Sequence, residues 1–107
     1  MASKTNSRRT PRVACGVPAR AEGPRGPLRG QCTSLSRAGM FFTGPTVPIG
    51  TSLEMAVDLP GRAFHAMGEV RYHVNRPGSA GMGIRFTRLA QEDLERIGQF
   101  IQASAAA

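Results

Sequence analysis

The chain of 107 residues has no tryptophan and only six aromatic side chains, five Phe and one Tyr. A core must therefore be assembled mostly from Val, Ile, Leu, Met and Phe. Cysteine is almost as scarce: Cys15 and Cys32 are the only two, with no CxxC pair. That excludes a disulfide framework and leaves two small, partly buried thiols. The two histidines, His65 and His73, have no cysteine near them, so no zinc-type ligand set can be assembled. Even spacing within one strand places them on one face, as surface or rim side chains. No apolar run approaches the ~20 residues a membrane helix needs, so no membrane insertion is expected. The N-terminal MASKTNSRRT lacks the apolar middle of a secretory signal, and a cytoplasmic chain is expected.

Catalytic patterns are missing too. The serines of SLS sit in no nucleophile-elbow pattern. GMG at 81–83 precedes an apparent strand rather than a helix, so it is no dinucleotide fingerprint. No acid pair lies beside a basic partner in a recognisable motif. The chain reads as a binder, not an enzyme, and no cofactor or metal is expected.

Acids are scarce in the first third, and there the sequence becomes informative. Residues 1–37 carry eight of the fourteen Lys and Arg against a single acid, Glu22, whereas residues 38–107 carry six of each sign. The whole formal excess of +7 thus sits in the first third. Seven of those eight basic residues are Arg, whose planar fork suits phosphate and guanine edges. Hydrophobic residues at 40% and charged residues at 20% describe one globular domain.

Segment by segment the pattern is that of strands. Val13–Glu22 reads as a first strand, with Gly16 and Pro18 marking an edge or a bulge. GPRGPLRG at 23–30 is turn-rich and leads into a second strand over 28–35. SRAG at 36–39 is a tight turn, MFFT at 40–43 a short strand and GPTVPIGTS at 44–52 a loop. In SLEMAVDLP, Leu53, Met55, Val57 and Leu59 alternate with Glu54, Ala56 and Asp58, a strand with one buried face. In RAFHAMGEVRYHV, Phe64, Ala66, Gly68, Val70, Tyr72 and Val74 share the inward parity. NRPGSA at 75–80 turns the chain into GMGIRFTRL, with Met82, Ile84 and Phe86 facing in. QEDLERIGQFIQA, 91–103, places Leu94, Ile97, Phe100 and Ile101 on one helical face, with Glu92, Asp93 and Glu95 near the N-terminus where the dipole favours acids. About six strands and one helix predict a mostly β, antiparallel barrel closed by a C-terminal α-helix. The expected layout is a tail over 1–7, one domain over 8–103 and a tail over 104–107.

SRRTPRV, 7–13, puts Arg8, Arg9 and Arg12 around Pro11, which keeps the preceding backbone extended. Such a segment at a barrel rim can lay guanidinium forks over a phosphate and its base. SLSRAG offers Ser34 and Ser36, and around Gly39 backbone N–H groups in a tight turn able to form an anion nest. Phosphate plus guanine is the chemistry such a pair of elements suits.

Arg-x-x-x-Arg at Arg8 and Arg12, followed by Ser-x-Ser-x-x-Gly at Ser34, Ser36 and Gly39, resembles the PilZ family, whose signature is RxxxR followed by (D/N)xSxxG. The likeness extends over 8–103 through the Gly50-Thr51 loop, the GEV strand at 68–70 and GMGIRF before the last helix. It implies a six-stranded barrel that binds cyclic di-GMP without chemistry and regulates motility, pili or exopolysaccharide through a downstream protein partner. Arg8 and Arg12 would hold guanine and phosphate, Arg9 would assist, and Ser36 and Gly39 would complete the turn under the ligand. Ser34 departs from the pattern, standing where the family has Asp or Asn. That weakens the site, or fits a degenerate module acting as a protein-interaction adaptor. A nucleic-acid binder is disfavoured, because stacking bases takes aromatic side chains that the core mostly needs.

Overall fold

The computed structural model describes residues 11–106; the tail over 1–7, Arg8 and Arg9 lie outside them. Six strands follow one another: β1 (Arg12–Gly23), β2 (Gly26–Ser36), β3 (Gly39–Thr43), β4 (Ser52–Leu59), β5 (Arg62–Val74) and β6 (Gly81–Arg88), then the helix α1 (Gln91–Ala106). Every ladder is antiparallel, and the strand order β1-β2-β3-β6-β5-β4 closes through β1 pairing with β4. This is the six-stranded antiparallel barrel with a C-terminal helix that the alternation predicts.

The core follows the period-two pattern most plainly in β4, where Leu53, Met55, Val57 and Leu59 are buried and Ser52, Glu54 and Asp58 are exposed. Leu35, Phe42, Phe64, Val70 and Met82 fill the barrel from the other strands. Phe64 meets Phe86 edge to face, with centroids 5.9 Å apart, a favoured aromatic arrangement. The helix packs against β1, β2 and β5 and buries Ile97 and Ile101 fully, with Leu94 and Phe100 half-buried beside them. It runs to Ala106, beyond the expected end at 103. Ser104 and the alanines after it carry no helix-breaking residue, and alanine is the best helix former, so the helix continues where a tail was expected.

Three local departures from a regular barrel shape the surface. The stretch 23–30 is not mainly turn: β1 and β2 remain paired to Gly23↔Gly26, leaving only Pro24 and Arg25 to turn. Gly30 stays in the ladder because a methyl there would run into the Thr43 carbonyl and the Phe42 ring. In β1 the ladder to β2 slips between Ala14 and Val17, the bulge that Gly16 and Pro18 suggested. It is not an edge, since β1 is paired on both sides.

The slip in β1 brings together two residues that sequence reasoning left apart. Cys15 Sγ lies 3.7 Å from Cys32 Sγ and 3.2 Å from the Cys32 carbonyl oxygen, to which it donates. Cys32 is fully buried and Cys15 half-buried.

The third departure is in β5. Val70 pairs with Ile84, but Tyr72 pairs with Gly83, so Arg71 is an extra residue. Beyond this bulge the inward parity assigned to Tyr72 no longer holds, and Tyr72 stands 50% exposed. The same slip separates the histidines. His65 lies opposite Ala56, whereas His73 lies opposite the buried Met82. Counting even spacing along β5 had placed them on one face. His73 instead bonds through Nε2 to the Val47 carbonyl at 2.7 Å. With Gly50 N–H donating to Val70 O and Val70 N–H to Thr51 O, that bond pins the 44–51 loop to β5.

Candidate functional site

The start of β1, the β2–β3 turn and the facing parts of β5 and β6 make one continuous patch on the outside of the barrel. Arg12 begins β1 opposite Ser36, and its neighbour-but-one Ala14 lies opposite Ser34. The Arg12 guanidinium donates from Nη1 to Ser34 Oγ at 3.0 Å. The structure thus brings together the second arginine and the first serine of the two half-motifs, 22 residues apart.

Ser36 does something different. It is buried, and its Oγ accepts from the N–H groups of Ala38 at 3.1 Å and Gly39 at 3.2 Å while donating to the Gly39 carbonyl at 3.3 Å. The two N–H groups expected to form an anion nest are therefore engaged inside the turn by a neutral hydroxyl. A side chain that binds its own backbone in this way fixes a turn. Gly39 is needed for space: it lies opposite Arg85, and a methyl there would strike the Ile84 carbonyl and crowd Arg85 Cα. Arg37, in the same turn, lies over Gly98 of α1 instead of facing the patch.

Two adjoining clefts occupy the patch. The larger, about 370 Å³, is lined by Arg12, Ser34, Phe41, Tyr72, Arg76 and Ser79 among others. The smaller, about 170 Å³, takes in Arg12, Gly39, Arg71, Tyr72 and Arg85. Volume does not single them out, since a groove of about 390 Å³ lies elsewhere on the barrel around Arg20 and His65. Charge does. That groove mixes Arg20 and Arg29 with Glu22 and Glu54, while among the described residues no carboxylate lines either cleft of the patch. The nearest acid is Glu69, whose carboxylate sits 3.6 Å from Arg71 and 3.7 Å from Arg85. These exposed pairs contribute little stability but hold both guanidinium groups beside the small cleft. Four arginines from four strands and loops, with an aromatic ring among them, suit a phosphorylated ligand with a planar base.

Arg71, Tyr72, Arg76 and Arg85 belong to no sequence motif, and sequence reasoning missed them as site residues. No signal in the sequence could have found Tyr72, because Arg71, Tyr72 and His73 continue the apparent alternation of β5 and the slip shows only in the pairing with β6. Among the described residues no group of His, Cys, Asp and Glu is placed to hold a metal, and no helix is long and apolar enough to cross a membrane.

A small closed six-stranded barrel with a C-terminal helix and a basic rim around its first strand and its β2–β3 turn defines a class of fold, and the comparisons with known proteins place this chain within it. The chain belongs to the PilZ domain family, whose model matches residues 6–103. Among solved structures it is similar to the inhibitor of motility MotI/DgrA of Bacillus subtilis, with a TM-score of 0.80 at 19% identity, over 92% of this chain and 51% of that one. The chain thus spans about half the length of that protein. The PilZ domain of Escherichia coli YcgR, solved with c-di-GMP, matches at a TM-score of 0.77 and 15% identity over 92% of each chain. The PilZ domain of CeSA from a cellulose-synthesizing bacterium matches at 0.64 and 13%, over 88% of this chain and 97% of that one. At these identities the likeness speaks for the fold. No curated protein matches the sequence.

Proposed function

We propose that this protein is a non-catalytic receptor for cyclic di-GMP that passes the signal to a downstream protein partner, in the control of motility, pili or exopolysaccharide. The observation that carries the reading is the meeting of Arg12 with Ser34 at 3.0 Å above the turn closed by Ser36 and Gly39, in a chain of the PilZ family. Arg12 takes a phosphate or the O6/N7 edge of a guanine with its fork. Arg8 and Arg9 supply further guanidinium groups from the adjoining segment, outside the described residues. Ser34 offers a hydroxyl to the ligand, and Ser36 and Gly39 keep the turn tight enough for a base to approach. The work is recognition. The described lining of the patch consists of guanidinium groups, hydroxyls and aromatic rings, which are groups that recognise a nucleotide.

The adaptor reading rests on one observation, the hydroxyl of Ser34 at the Asp or Asn position of the signature. The two are separated by calorimetric titration of the purified chain with cyclic di-GMP, with GTP and a single-stranded RNA as competitors. A receptor gives saturable heat that neither competitor abolishes at equal concentration. Absence of heat at millimolar ligand leaves the adaptor, and displacement by RNA would point to nucleic acid.

A further inference from the structure

Tyr72 is placed as no core residue should be. It follows the inward residues Phe64, Ala66, Gly68 and Val70 in parity, yet the extra residue Arg71 turns it outward opposite Gly83. Half of its surface is exposed, which among the described large hydrophobic residues only Ile49 shares. Gly83 is buried beneath the ring; a methyl at 83 would sit inside Cε2 and Cζ of Tyr72. Phe41, which faces Gly83 from the other side, holds its ring centroid 6.3 Å from that of Tyr72 at 31°. A bulge, a glycine and a phenylalanine thus combine to lay one aromatic ring on the barrel surface and keep it there.

The surroundings say what for. Tyr72 and Arg12 are the two residues that line both clefts, with Arg76 on one side and Arg71 and Arg85 on the other. An exposed ring with cations on either side is the arrangement that stacks a nucleobase while its phosphates are neutralised. We infer that Tyr72 is the base-stacking platform of this face: a guanine base of the ligand lies on its ring, with Arg12 and the arginines of the flanking clefts taking the phosphates. The inference rests on the receptor reading above and adds to it a residue outside the signature.

The composition supplies the test. Tyr72 is the only tyrosine and there is no tryptophan, so all tyrosine emission reports position 72. Cyclic di-GMP is titrated into the whole chain, following heat and tyrosine emission in parallel, the latter corrected for absorption by the nucleotide. Stacking quenches the emission with the same midpoint as the heat. Tyr72→Ala weakens binding at least about tenfold, whereas Tyr72→Phe stays within about threefold of wild type, because a ring suffices for stacking. Thermal unfolding of both variants confirms the fold, which an exposed side chain should not disturb. Heat without quenching, or Tyr72→Ala binding as tightly as wild type, overturns the platform and leaves the receptor reading standing. Equal weakening by Phe and Ala would show a contact through the phenol oxygen and also overturn stacking. Wild type with no heat removes both.

Discussion

Ser34 is where a single atom type decides how strongly the proposed site can bind. Its hydroxyl accepts from Arg12 at 3.0 Å on the exposed rim, an interaction between a charged donor and a neutral acceptor. A carboxylate at 34 would steady Arg12 and still have lone pairs for the N–H groups of guanine. One charge-assisted bond is worth about 1.5–3 kcal/mol, so Ser34→Asp is expected to tighten cyclic di-GMP binding by about tenfold or more without changing the melting temperature. Arg12→Ala and Arg8→Ala should each weaken it by at least ~2 kcal/mol, about thirtyfold. Arg25→Ala and Arg62→Ala, exposed and lining neither cleft, should stay within ~0.5 kcal/mol. Calorimetry on the five proteins checks the set, and equal losses from Arg12 and Arg25 would reduce the effect to general charge. The closeness of Arg12, Ser34 and Gly39 was legible in the sequence because two half-motifs at a set separation specify it. The Tyr72 platform and the thiol pair were not, because each depends on a strand slipping by one residue.

At the scale of elements, β4 and β5 show why one alternation could be trusted and the other could not. The ladder between them runs without a slip from Ser52↔Glu69 to Leu59↔Arg62, and every inward residue of β4 is buried. Against β6, β5 slips twice, after Met67 and after Val70. An extra residue reverses parity beyond it without leaving a turn residue behind, so counting along Arg71-Tyr72-His73 gives the wrong face. The helix, with its 3.6 period and no slip, was legible in type and buried face. Its last three residues were not, because Ser-Ala-Ala reads equally as helix or tail. Ile97 is fully buried under the barrel, and Ile97→Ala removes packing that nothing nearby can replace. The expected cost is about 2–5 kcal/mol, a fall in melting temperature of at least about 8 °C for a domain this size. Gln99→Ala and Gln102→Ala, on the exposed face of the same helix, should change it by no more than a surface substitution does. Thermal unfolding by circular dichroism distinguishes the two faces, and similar melting temperatures for all three would mean that α1 is not docked as described.

Closure is a property of the whole molecule, and no stretch of sequence encodes it locally. The pairing of Ala19–Glu22 with Glu54–Val57 joins residues more than thirty positions apart. Strand count and a single terminal helix imply it only because an open sheet would leave its edges unpaired. Inside the closed barrel lies a consequence for stability against pH. Burial pushes the Cys32 thiol well above its ordinary value of 9.0, and the neighbouring Cys15 pushes it further; burial also raises Cys15. Above pH 9 the unfolded chain releases these protons while the folded chain retains them. The unfolded state then binds fewer protons, so the unfolding free energy falls as pH rises. The contribution is present in full below the unfolded pKa and is lost as pH climbs towards the folded one. For one fully buried thiol the loss between pH 9 and pH 10 amounts to about 1 kcal/mol. Urea unfolding at pH 8, 9 and 10 in the presence of reductant should show this loss in wild type. Cys32→Ala, less stable at pH 8 because of the space it leaves, should show a distinctly shallower decline over the same interval. Parallel declines for the two proteins would mean that Cys32 ionises as readily in the fold as outside it, and that this part of the barrel admits water.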